Sequence, residues 1–332
     1  MAGGLLPSLL LIGARKCGTT ALSNQLREHP SLVFPDCYTG RKQWPPRVQR
    51  LMCVWNKEVR YFSRGLNVVD ACWYRRLYPC SASAEPEHSK AGAGLVAFDG
   101  SPDYLVIPDA NIAAMYLQLG PRARLVAMLR NPSDRFYSAY NMGMNEKRRP
   151  SEKATYTEFS GSLDRLIACA PKECPEEPNV VMLFFNYGMY ARHLQRFITH
   201  FGREALLIEC SEEYYATPLP TVQRVLAHAG LAMSPALESS LLASASNRSQ
   251  HKSNAGARWG GTGYKGHLAQ TERAKLDAFY RPYNAELYAL MGRDLRWESA
   301  GSFVENVATD PAANNTVGGS KEMRMRPARA EL

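Results

Sequence analysis

The most constraining feature of this chain stands at its start. Ser8 to Ile12 is an unbroken apolar run that ends at Gly13. After Arg15-Lys16-Cys17-Gly18-Thr19-Thr20, the spacing of Leu22 and Leu26 predicts a helix over Ala21 to His29, stopped by Pro30. Strand, tight loop and helix in that order open a parallel α/β sheet. Such a turn aims backbone N–H groups and a positive helix end at one spot, where phosphate binds. Lys16 adds a point charge, and Thr19 and Thr20 add hydroxyl donors. The loop is not a Walker A motif, because Thr19 stands where that motif has Lys and Lys16 precedes the glycine instead.

The 332 residues, 45% of them hydrophobic, supply enough apolar material for one large core. Residues 1–300 read as a single domain and 301–332, small and polar in composition, as a flexible tail. Forty basic against 31 acidic residues give a net charge of +9, which suits an anionic partner. The charge is dispersed with no basic run, so no nucleic-acid partner is expected. No apolar run is long enough to span a membrane. The eight cysteines include no CxxC pair, so no metal is expected, although Cys169 and Cys174 are placed for a local disulfide. The compartment stays open: the Golgi lumen if a membrane anchor precedes this sequence, the cytoplasm otherwise.

Further strands are predicted at Leu95 to Phe98, Arg124 to Leu129 and Leu206 to Glu209, with a short strand or strand edge at Lys57 to Phe62. Helices are predicted at Asp109 to Leu119 with Asp109 as its cap, Ser133 to about Asn145, Tyr187 to Phe201, Leu219 to Ala229 and Gln270 to Met291. Residues 36–56, 63–94, 146–178 and 244–267 read as irregular, apart from an apolar patch at Leu163 to Ala168. The fold class is α/β: a P-loop-like three-layer fold with a central parallel sheet flanked by helices.

Two further segments carry chemistry. Arg130 follows a buried strand and Ser138 lies two turns into the next helix, so both can converge on one anion. Glu58, flanked by Lys57 and Arg60, is a carboxylate available as a general base, although spacing alone favours a surface ion-paired strand. Asp99 and Asp103 read first as turn-forming acids.

Gly13 to Leu22 resembles the 5′-phosphosulfate-binding loop of Golgi-type carbohydrate sulfotransferases, above all the heparan sulfate group. The segment Arg130-Asn131-Pro132-Ser133-Asp134-Arg135-Phe136-Tyr137-Ser138 is similar to that family's 3′-phosphate motif, and Lys57 to Phe62 to its Lys-Glu-Val-His-Phe-Phe element. Gly263 to His267 is similar to its late Gly-Lys-Gly-type loop, and Ser101-Pro102-Asp103-Tyr104 to its Ser-Pro-x-Tyr stretch near the acceptor. The resemblance implies transfer of a sulfuryl group from PAPS, leaving PAP, to a hydroxyl or amine of a carbohydrate acceptor. Arg15, Lys16, Cys17, Gly18, Thr19, Thr20, Arg130, Ser138, Lys265, Gly266 and His267 would hold the donor. Lys16 would stabilise the leaving phosphate and Glu58 would serve as base. Lys57, Arg60, Ser101 and Asp103 would lie toward the acceptor. Arg60 stands where the family commonly has His, from which a more acidic acceptor is expected. Other readings stay open: a small-molecule acceptor, a P-loop kinase with Asp99 on magnesium, or a non-catalytic module for anionic glycans.

Overall fold

The computed structural model describes residues 5–36, 57–63, 72–78, 94–147, 156–170, 179–250 and 268–298. Lys265, Gly266, His267, Cys174 and the tail 301–332 lie outside these residues. Cys169 is disulfide-bonded.

The apolar run Leu9, Leu10, Leu11 and Ile12 is completely buried in strand β1 (Pro7–Gly13). Burial of such a side chain contributes about 2 kcal/mol, which makes this strand the natural centre of a sheet covered on both faces. β1 pairs in parallel with β3 (Val96–Asp99) on one side and β4 (Arg124–Leu129) on the other. β2 (Leu32–Val33) and β5 (Leu206–Cys210) complete a five-stranded parallel sheet in the order β2-β3-β1-β4-β5. The chain leaves β1 toward β2 and leaves β4 toward β5, in opposite directions. A crevice therefore opens between the carboxyl ends of β1 and β4, where open α/β sheets bind ligands.

Two groups of helices flank the sheet. One contains α1 (Thr19–Leu26), α8 (Ser211–Ala216), α9 (Pro218–His228) and α10 (Pro235–Gln250). The other contains α3 (Asp109–Leu119), α4 (Pro132–Lys147), α5 (Tyr156–Cys169), α6 (Asn179–Asn186), α7 (Tyr190–Phe201) and α11 (Gln270–Met291). A single turn, α2 (Cys72–Arg75), and a 3-10 turn at Pro102–Val106 cover the end of β3.

Several elements differ from the sequence reading. Asp109 lies in the first turn of α3, with Pro108 at the cap. Helix α5 occupies a segment expected to be irregular. Its Phe159, Leu163 and Leu166 are buried at helical spacing, a stripe obscured by charged and proline-rich flanks. Helix α10 begins on Pro235, a residue favoured at a first helical position, and runs into the Ser- and Asn-rich stretch. Lys57 to Phe62 is not a strand: only Glu58 forms a bridge, and Arg60 turns the backbone into the left-handed region at φ 58°.

What holds that segment is Asp99, at the end of β3 and wholly buried. Its Oδ1 accepts hydrogen bonds from the Ser101 hydroxyl at 2.6 Å and the Val59 N–H at 3.4 Å. Its Oδ2 accepts from the hydroxyls of Tyr74 at 2.6 Å and Tyr104 at 2.8 Å. Burial pushes the Asp99 carboxyl above its usual range, and the hydroxyls of Ser101, Tyr74 and Tyr104 pull it back. Burial likewise raises Tyr74 and Tyr104, which stay protonated and donate. Tyr61 stacks on Tyr74 with ring centroids 4.5 Å apart, so the same cluster carries the backbone around Glu58.

Asp99→Asn should cost about 2–3 kcal/mol in a urea unfolding titration, because an amide puts a donor among donors and forfeits charge-assisted bonds. A second expectation concerns acid. Burial lowers His193 from 6.5 to about 4 against the opposing pull of its hydrogen bond to the Asn186 carbonyl, 3.0 Å from Nε2. His193 is thus neutral in the fold but titrates at about 6.5 when unfolded. Its contribution is complete above that value and is lost as pH falls from 6.5 through about 4. His228, also lowered by burial, acts in the same sense. Unfolding at pH 4.5 and 7.5 should show His193→Gln recovering roughly 2 kcal/mol of the acid loss.

Candidate active site

The loop after β1 is shaped by its own backbone. Lys16 sits at φ 69° and Gly18 at φ 81°, the left-handed region that glycine tolerates best. Gly18 takes the cap position of α1, where a Cβ would come within 2.7 Å of the Tyr215 hydroxyl. The cap therefore contributes no side chain, and the N–H groups of the first turn of α1 head the crevice. Thr19 is buried and Thr20 exposed.

The loop is fastened from behind. The Cys17 side chain is completely buried, its Sγ 4.0 Å from the Tyr190 hydroxyl. Burial pushes its thiol up to about 12, partly offset by Arg135 and Arg130. Any contact of Cys17 with a ligand is therefore through its backbone. The Ser211 hydroxyl donates to the Cys17 carbonyl. The Tyr190 hydroxyl donates to the Arg130 carbonyl at 2.8 Å, tying the loop to the carboxyl end of β4.

At that end Asn131 caps α4, its Oδ1 accepting from the Ser133 N–H at 2.9 Å. The half-buried Arg130 has its charge felt at Cys17 of the loop and at Tyr215, which packs against Gly18. Lys16 reaches across to α4, where its Nζ lies 3.7 Å from Met142 Sδ. Met142 stands one turn beyond Ser138 on the same face of that helix. Lys16 thus meets the helix that carries Ser138 and begins just after Arg130, more than 100 residues away in sequence.

Glu58 completes the group. Its Oε1 accepts from Lys57 Nζ at 2.9 Å, and its Oε2 from Arg60 Nη2 at 2.6 Å and Nε at 3.1 Å. Arg60 Nε also lies 3.5 Å from Asp103 Oδ2, and Asp103 Oδ1 lies 3.2 Å from Arg15 Nε. One ion-paired chain therefore runs Lys57–Glu58–Arg60–Asp103–Arg15, ending in the loop after β1. Lys57 and Ser101 are buried, with Lys57 Nζ also donating to the Gly100 carbonyl at 3.3 Å and Ser101 held by Asp99. Any part they take in acceptor recognition is indirect. Arg60 is paired with two carboxylates, Glu58 and Asp103.

The sequence reading missed the residues that fasten these pieces. Arg135 is completely buried, donates from Nη2 to the Phe184 carbonyl, leaves Nε and Nη1 without hydrogen bonds, and lies 5.6 Å from the Tyr187 ring centroid. A second arginine inside a motif that already held Arg130 was the available signal. Tyr190, Ser211 and Tyr215 had none, since each meets the loop across more than 170 residues.

Asp99 lies at the end of the apolar strand beside β1, the position where a kinase would hold magnesium. Both its oxygens are filled by donors in a buried cluster, so it serves as an anchor instead.

Comparison with known proteins agrees with this architecture. The chain is 24% identical over 299 residues to heparan sulfate glucosamine 3-O-sulfotransferase 5 of Mus musculus, covering 88% of this chain and 74% of that one. It is 26% identical over 300 residues to the bifunctional heparan sulfate N-deacetylase/N-sulfotransferase 3 of the same organism, covering 87% of this chain and 30% of that longer protein. The crystal structure of a sulfotransferase from Alicyclobacillus acidocaldarius superposes with a TM-score of 0.55 at 22% identity, covering 89% of this chain and 99% of that one. The sulfotransferase domain family matches residues 6–287, and the chain belongs to that family.

Proposed function

We propose that this sulfotransferase moves the sulfuryl group of PAPS to a hydroxyl or amine of a carbohydrate acceptor, with Glu58 as general base. The carrying observation is that Glu58 is joined through Arg60 and Asp103 to Arg15 of the phosphate loop, which brings a carboxylate to the side of a site built for anions. The donor fits the residues present. The loop offers first-turn N–H groups and Lys16 for the 5′-phosphosulfate, while Arg130 and Ser138 suit the 3′-phosphate. Arg15, Cys17, Thr19 and Thr20 contribute through the loop, and Lys265, Gly266 and His267 are assigned by resemblance alone.

In the proposed reaction the acceptor atom forms a bond to sulfur as the bond between sulfur and the 5′-phosphate oxygen breaks. The acceptor proton passes to Glu58, and the charge left on the phosphate is met by Lys16 and the loop N–H groups. The carbohydrate acceptor is supported by relatives named for heparan sulfate. The alternative of a small-molecule acceptor would share the donor chemistry.

Glu58→Gln should lower the rate of sulfate transfer from labelled PAPS to heparan-type glycans by about 10²-fold or more while PAP binding is retained. If transfer persisted in that variant, Glu58 would not be the base. Arg130→Ala and Ser138→Ala should each weaken PAP in titration calorimetry by about ten-fold. Adenosine 5′-phosphosulfate, which lacks the 3′-phosphate, should lose no more than about three-fold. Tight binding of magnesium-ATP with no binding of PAP would replace this reading with a kinase.

A further inference from the structure

Asp103 occupies an unusual place among the charges of the site. It lies in the first turn of the 3-10 segment that follows β3, with 19% of its side chain exposed, between two guanidinium groups from different parts of the fold. Arg15 approaches one oxygen at 3.2 Å and Arg60 the other at 3.5 Å. Neither contact is tight, and Oδ1 is buried without a hydrogen bond of good geometry. The contact between Arg60 and Glu58 is short by comparison, at 2.6 Å. Three cations, Arg15, Arg60 and Lys57, thus share two carboxylates, and Asp103 is the loosely held one.

We propose that Asp103 is a positioning residue that couples occupancy of the phosphate loop to the state of Glu58. Arg15 and Arg60 compete for its carboxylate. An anion at the loop draws Arg15 away, Asp103 then gives its charge to Arg60, and the hold of Arg60 on Glu58 weakens. Glu58 is thereby released for proton transfer when the donor is in place. Coupling of this kind is reciprocal: removing the charge of Glu58 turns Arg60 onto Asp103 and frees Arg15 for the anion. The inference rests on the reading of the loop as the donor site and of Glu58 as the base.

The reciprocity can be tested without knowing the acceptor, by a cycle of variants read as PAP affinity in titration calorimetry. Glu58→Gln should tighten PAP by about three-fold, and Asp103→Asn, which releases Arg15 directly, by a similar factor. In the double variant the two effects should not multiply: Glu58→Gln should add less than about 1.5-fold once Asp103 is neutral. Arg60→Gln cuts the chain on the other side of Asp103 and must likewise remove the effect of Glu58→Gln. It stands in for Asp103→Asn should that variant fail to fold. Multiplicative effects, with PAP bound by every variant, would overturn the coupling alone. Failure of the wild-type protein to bind PAP would overturn the donor reading and the coupling together. Full transfer activity in Glu58→Gln beside a non-additive cycle would remove the base while leaving the charge coupling in place.

Discussion

The site depends on one buried carboxylate. Asp99 ends β3 inside the core, and a carboxylate there is tolerated only if its lone pairs are filled. Three hydroxyls and a backbone N–H fill them. The donors come from three segments: α2 through Tyr74, the turn after β3 through Ser101 and Tyr104, and the stretch around Glu58 through Val59. The requirement to satisfy one anion therefore gathers pieces of chain that, apart from the single bridge at Glu58, are not part of the sheet. Ser101 passes the constraint on by accepting the Arg60 N–H at 2.9 Å, which supports the left-handed turn there. Loss of this cluster would release Glu58 and Arg60 from the carboxyl end of β3 before it disturbed the sheet itself.

Topology supplies the other half. The strand order sends the chain in opposite directions after β1 and β4, so their carboxyl ends face a shared crevice. The loop with Lys16 follows one of these strands and Arg130 the other, while β3, on the far side of β1, brings Asp99 and Asp103 alongside. Three neighbouring strand ends thus bring the loop after β1, Arg130 and the two carboxylates to one end of the sheet. The fastening behind the loop, through Cys17, Tyr190 and Ser211, keeps its N–H groups aimed without using the crevice itself.

Within this family frame the chain has its own electrostatics. Arg60 and Asp103 belong to the same network, and neither makes sense alone. Arg60 unpaired beside Lys57 would overload a single carboxylate with positive charge, and Asp103 is what balances it. Charge that the sequence places beside Glu58 is thus paired internally, in a chain that runs to Arg15 of the loop after β1.

The sequence by itself determined the local parts. A strand, a glycine turn and a helix make an anion site from contiguous residues, and the physics of N–H groups and helix dipoles needs nothing from the rest of the chain. Arg130, between a buried strand and a helix, was legible in the same local way. Glu58 was visible only through resemblance, because an acid between two bases reads equally as a surface ion pair. Helices α5 and α10 were hidden by proline and polar flanks, and their burial is decided by partners that local composition does not announce. Tertiary structure alone decided that Asp99 is an anchor, that Asp103 bridges Arg15 and Arg60, and that Tyr215 limits Gly18. Each of these is a contact between segments tens to nearly two hundred residues apart. Such contacts follow from which strand ends the fold sets side by side, and strand order is not written in any short stretch of sequence.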